Sequence, residues 1–186
     1  MGSPSLPLIL ALMTSRRTSL RLGLSMGLSA LLLAVAGALT PAAAATNWSY
    51  FNDFGQPCLR SSTASTNVWV STTCPDNSSV WWHWGTESNQ WGGHTMRRLV
   101  SNANGGCLTT DVGAETNAVR TEPCGNGRSG QFWTADGDYF RNQNGNYLRT
   151  SPSGDGVYTS PWSVIDDYNI DITRFVWWGF NGSDWE

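Results

Sequence analysis

The 186-residue chain has no lysine: all eleven of its basic residues are arginine, and it has only two histidines, His83 and His94. Charged residues make up 13% of the chain and are scattered, with no basic run. Phosphate binding needs a concentrated positive footprint, so nucleic acid is not an expected partner. No Cys-x-x-Cys occurs, and the two histidines do not sit at ligand spacing, so neither a metal nor a cofactor is expected. Gly-x-Ser-x-Gly is absent from residues 46–186, and nothing there marks one serine as a nucleophile. Asp136-Gly137-Asp138 and Asp166-Asp167 are the nearest thing to paired catalytic carboxylates. They read better as turn acids, and neither gives the clustered oxygens calcium requires. The expectation is a protein that is not an enzyme. Long apolar runs are also missing, with one exception near the N-terminus.

That exception reads as a secretion leader over residues 1–45. Arg16, Arg17 and Arg21 precede a small, apolar stretch from Leu22 to Leu39, and Ala43 to Ala45 supplies an Ala-x-Ala cleavage site. Gly23, Ser25, Gly27, Ser29 and Gly37 dilute the stretch too much for a retained anchor, so no membrane association is expected after cleavage. Arg16-Arg17 resembles a twin-arginine signal, with Ser19 where an apolar residue is usual, and a Sec signal fits as well. Met13 offers an alternative start. Cleavage after Ala45 leaves one domain, 46–186, secreted from what reads as a bacterial cell. Three of the eleven basic residues precede Thr46, which leaves eight against fourteen acids, a net charge of −6. Asn47-Trp48-Ser49, Asn77-Ser78-Ser79 and Asn181-Gly182-Ser183 are glycosylation sequons that such a source leaves unmodified.

The four cysteines, Cys58, Cys74, Cys107 and Cys124, all fall in this domain, and an even count in a small exported chain reads as disulfides. An internal repeat selects the pairing. Cys58-Leu59 and Cys107-Leu108 each precede a second cysteine, by 16 and 17 residues, and each precedes a tryptophan by 26, Trp84 or Trp133. Tyr147-Leu148 opens a third unit without cysteines. Tyr50-Phe51, Leu99-Val100 and Tyr139-Phe140 stand eight residues before these three openings. The repeats cover about 48–95, 96–136 and 137–186, and the bridges fall within repeats: Cys58 with Cys74, Cys107 with Cys124.

Short aromatic and β-branched runs, such as Val68-Trp69-Val70 and Gln131-Phe132-Trp133, alternate with Gly/Asn/Ser/Asp clusters. The reading is all-β. Three units of this size specify a β-trefoil of three repeats with two intra-repeat disulfides, being too few for a propeller.

The Cys-Leu openings, the second cysteines and Gln131-Phe132-Trp133 together resemble the ricin B-type (Gln-x-Trp) β-trefoil lectins, from about Tyr50 to the end of the chain. The resemblance implies carbohydrate binding in shallow pockets, up to one per repeat. It is degraded in the residues that would do the binding. Where the family carries its sugar-binding Asp, two residues after the first cysteine, stand Arg60, Thr109 and Arg149. Where its stacking aromatic lies stand Thr72 and Glu122. Gln131 survives, but Gly130 precedes it where an Asn is usual. Unit three offers Trp162 as a stacking face with Tyr158 near it.

The candidate binding residues are therefore Trp162, Tyr158, Arg149, Gln131, Asn117, Arg60 and Trp81. Arginine only donates, so Arg60 and Arg149 suit a carboxylate, sulfate or phosphate, or else pair with surface acids. Trp81 is either a ligand platform or packing between repeats. Trp84, Trp133 and Trp69 are expected in the core. The exposure of Trp177, Trp178 and Trp185 is open. Three functions remain: a carbohydrate-binding lectin, a protein-interaction trefoil such as a toxin subunit or inhibitor, and, least supported, an enzyme.

Overall fold

The computed structural model describes residues 45–125 and 127–182. The leader, apart from Ala45, and Trp185 lie outside the described residues. Each unit contributes four strands. Unit one has β1 (Asn47–Asn52), β2 (Cys58–Ser61), β3 (Val68–Ser71) and β4 (Trp82–Trp91). Unit two has β5 (His94–Ser101), β6 (Cys107–Thr110), β7 (Asn117–Glu122) and β8 (Trp133–Thr134). Unit three has β9 (Arg141–Asn142), β10 (Tyr147–Thr150), β11 (Val157–Ser160) and β12 (Trp177–Phe180), with a short helix α1 (Val164–Tyr168) before β12.

The first and fourth strands of each unit form a six-stranded barrel in the order β12-β1-β4-β5-β8-β9, and the Tyr139–Val176 bridge closes it. The hairpins β2-β3, β6-β7 and β10-β11 cap one end. Contacts between Tyr158 and Ala118, between Asn67 and Arg120, and from Val70 N–H to the Asp155 carbonyl tie the hairpins together. The molecule is a β-trefoil.

Its core repeats in threes. Leu59, Leu108 and Leu148 are fully buried, each worth about 2 kcal/mol of transferred apolar surface. Trp82, Trp133 and Trp177 lie under them, and each indole N–H donates to the carbonyl of its own unit's leucine, at 3.2, 2.8 and 3.0 Å. Tyr50, Leu99 and Phe140 complete the set. The units are joined by one recurring bond: Asp53, Asn102 and Gln143 N–H donate to the carbonyls of Val176, Trp81 and Phe132. Asn52 and Asn142 add buried amide bonds across the same seams.

This packing corrects two assignments made from spacing. The counterpart of Trp133 is Trp82, 24 residues after Cys58, and not Trp84. Unit one is one residue shorter on each side of its second cysteine, so the equal spacing of 26 was a coincidence of two loop lengths. Trp84 is half-buried instead, stacked on Phe140 at 6.1 Å. Trp69 also leaves the core. The β2-β3 register sets it opposite Arg60, as Arg120 is set opposite Thr109, so Val68 is the true counterpart of Val119.

The disulfides are Cys58–Cys74 and Cys107–Cys124, with Cα separations of 5.9 and 5.1 Å. In unit three Tyr147 stands at the first-cysteine position. Trp162 follows it by 15 residues, and the two rings meet at 4.9 Å where the other units have a bridge.

Candidate functional site

The three hairpins present one cross-strand pair each at the place where the sugar acceptor was sought. In unit one Arg60 lies opposite Trp69, with its guanidinium 5.1 Å from the ring centre. In unit three Arg149 lies opposite Tyr158 at 5.6 Å. Neither arginine meets an acid among the described residues. Arg60 donates to the Thr73 carbonyl and Ser79 Oγ, both at 3.2 Å. Arg149 donates to Ser160 Oγ at 2.8 Å and Thr116 Oγ1 at 3.0 Å. The expected surface ion pairs are thus replaced by hydroxyl and carbonyl partners with an aromatic face alongside. Burial pushes the Arg149 guanidinium below its ordinary range, helped by the nearby charge of Arg174. Unit two is different: Thr109 faces Arg120, which forks onto Asp111 with two bonds of 2.9 Å and reaches Glu122 at 2.7 Å. That guanidinium holds the Asp111 carboxyl below its usual value.

Gln131 and Asn117 are turned inward. The 3-10 turn Ser129–Gln131 buries the Gln131 amide completely. There it donates to Thr109 Oγ1 and the Pro123 carbonyl and accepts from Gly125 N–H. Asn117 closes its own loop through Ala114 and donates to the Thr159 carbonyl. Both side chains are committed to holding loops. Trp81 is half-buried, its indole N–H donating to Asp76 at 3.0 Å.

Trp162 is the candidate that stays available. Pro161 and the start of α1 turn the chain outward, while Val164 anchors the helix in the interior. The indole stands edge-on to Tyr139 at 5.1 Å and to Tyr147, tilts on Phe175 at 6.0 Å, and remains 38% exposed. The structure brings Arg149, Tyr158 and Asn117 together at one seam. Arg60, Gln131, Trp81 and Trp162 stand at four other places.

Spacing gave no sign of the reach of the β4-β5 hairpin. Gly92 and Gly93, both at positive φ, form its two-residue turn and carry Trp91 and His94 over unit three. Asn89 donates to Gln143 at 3.0 Å, His94 meets Asp136 at 2.7 Å, and Trp91 covers the Arg141 guanidinium at 4.8 Å. Arg141 also lies 5.6 Å from the Tyr147 ring, so Trp91, Arg141, Tyr147 and Trp162 form a continuous aromatic and cationic strip. The Gly-Gly pair between two strands was the available signal. The His94 hydrogen bond, first among the causes, lowers the Asp136 carboxyl.

Solved structures with this fold include ThreeFoil, a designed threefold-symmetric protein, at 14% identity and a TM-score of 0.54, covering 71% of this chain and 96% of that one. The agglutinin of Abrus precatorius matches at 13% identity and a TM-score of 0.54, over 73% of this chain and 47% of its own. The C-half of the earthworm R-type lectin, solved in complex with GalNAc, matches at 12% and 0.50, over 72% and 97%. At such identities the likeness is one of fold. No family model and no curated protein sequence matches the chain.

Proposed function

We propose that this chain is a secreted, lectin-like protein that binds carbohydrate through unit three and does no chemistry on it. The observation that carries this is Trp162, an exposed ring held edge-on by Tyr139 and Tyr147 on a trefoil shared with an agglutinin and a GalNAc-bound lectin. A flat, rigid, amphipathic ring of this kind packs the C–H face of a sugar. Arg141, beside the Tyr147 ring that meets Trp162, supplies a donor for hydroxyl or carboxylate oxygens. The leader of residues 1–45 and the two disulfides agree with export to an oxidising compartment.

The test is binding of the full chain to soluble glycans and insoluble polysaccharides. Trp162→Ala is expected to weaken binding at least tenfold, about 1.4 kcal/mol, while Trp81→Ala leaves it within twofold. Loss in Trp81→Ala alone would move the site to unit one. Silence against every glycan overturns the reading. It would favour a protein-binding trefoil instead, for which the self-satisfied Arg60 and Arg149 pockets already speak.

A further inference from the structure

The barrel has a second end, away from the hairpins, and there the threefold pattern breaks. Two residues beyond the core tryptophans stand Trp84, Ala135 and Gly179; two residues before Tyr50, Leu99 and Phe140 stand Trp48, Arg97 and Asp138. Two of these six positions carry large rings, two carry almost nothing, and two carry opposite charges. Small residues at 135 and 179 leave open what a repeat of Trp84 would fill, and a cavity of about 230 Å³ results. Trp48, Trp84, Tyr139 and Asp138 wall it. Trp48 packs closely on Gly179: a Cβ there would stand 3.1 Å from the indole and 3.2 Å from the Tyr50 ring, crowding both. Arg97 lines the adjoining hollow, which shares Trp84 and Ala135.

Asp138 is placed there by a backbone that favours few residue types. Gly137 and Asp138 are both left-handed, at φ 63° and 61°, and the Asp138 carbonyl is pinned by Trp177 N–H at 2.9 Å. Aspartate tolerates this region better than most side chains. Its carboxylate has no hydrogen-bond or ion-pair partner among the described residues, and neither has the Arg97 guanidinium.

We propose that this barrel mouth is a second carbohydrate site, sized for a single pyranose ring. Its volume falls below the ~300 Å³ at which pockets for drug-sized ligands begin. Indole walls take the C–H face of the ring, and the Asp138 carboxylate accepts hydrogen bonds from two neighbouring hydroxyls. Arg97 supplies a donor at the rim. A guanidinium there also repels the organic cations that an aromatic cage with a carboxylate would otherwise attract. The site shares its ligand class with the Trp162 face and one wall residue, Tyr139, while Trp48, Trp84, Asp138 and Arg97 belong to it alone, so variants at Trp162 and Asp138 test the two separately.

The experiment titrates the full chain with methyl α-glucopyranoside, methyl α-mannopyranoside and methyl β-galactopyranoside. Binding is read by saturation-transfer NMR and folding by circular dichroism, with tetramethylammonium as the contrasting probe. The Trp162→Ala protein is expected to keep binding at least one glycoside. Adding Asp138→Asn, which tolerates the same backbone, should weaken it tenfold or more. Ala135→Trp, which fills the cavity, should abolish it. The site is overturned if Trp162→Ala removes all glycoside binding. It is likewise overturned if both mouth variants bind within twofold of their parent, or if tetramethylammonium binds while no glycoside does. Binding retained in full by Trp162→Ala and lost by Asp138→Asn with Trp162 intact would sustain the mouth and sink the Trp162 face.

Discussion

Gly130 shows how one absent methyl group can decide what a repeat may carry. A Cβ at this position would lie 2.3 Å from the Thr110 carbonyl oxygen, a backbone atom that cannot step aside. The asparagine expected before Gln131 is therefore excluded by the close approach of the chain. Gly130→Ala should cost about 2 to 3 kcal/mol, read as a lower urea midpoint with unchanged slope. Asp111 makes a gentler prediction. Its folded carboxyl titrates below the ordinary 3.8 because Arg120 forks onto it. A depressed acid stabilises fully above its unfolded value and loses that contribution as pH falls through the folded one. The pair is about half exposed, so the effect stays under about 1 kcal/mol. Asp111→Asn should be less stable than the parent at pH 6, and the gap should narrow as pH falls below 3.8 in paired urea melts.

At the scale of the element, the two bridged units and the unbridged one are a natural comparison. Cys58–Cys74 and Cys107–Cys124 close loops of nearly equal length, 16 and 17 residues, so removing either should cost about 3 kcal/mol in chain entropy. Matched double Cys→Ser variants, melted under oxidising conditions, should fall by similar amounts. In unit three the Tyr147–Trp162 contact occupies that place, and an aromatic pair adds only about 1 kcal/mol beyond its burial. Trp162→Ala should therefore lose binding while the fold persists. The same comparison shows what could be read beforehand. Counting from Tyr147 finds Trp162, because local spacing is conserved in a repeat. Counting from Cys58 finds the wrong tryptophan, because two loops each shorten by one and a second Trp happens to stand two residues on.

Across the whole molecule, the three units and their bridges were legible because each is a local pattern. The joints between units were not. The Trp91–Arg141 contact, the Asn89–Gln143 bond and the barrel-mouth cavity all join residues from different units, and no single repeat contains the pattern. Gln131 and Asn117 looked like ligand groups for a related reason: a buried amide holding a loop and an exposed amide holding a sugar are spelled alike. Trp84 is instructive in the opposite direction. Moved out of the core, it becomes a wall of the one end of the barrel where the repeats differ most.

Strand β12 pairs with β1 through Ser49–Phe180 to Asn52–Trp177, so the last strand of the fold is a neighbour of the first. The consequence lies in time. A chain emerging residue by residue holds β1 from the outset, yet the seam beside it stays open until Phe180 has followed. Contacts that far apart in sequence make closure the slow event of folding. A protein read as bound for export thus remains threadable until β12 has been made. By the same logic, linking its two ends and reopening the chain at Gly92-Gly93 would rearrange the order of these events and leave the finished fold unchanged.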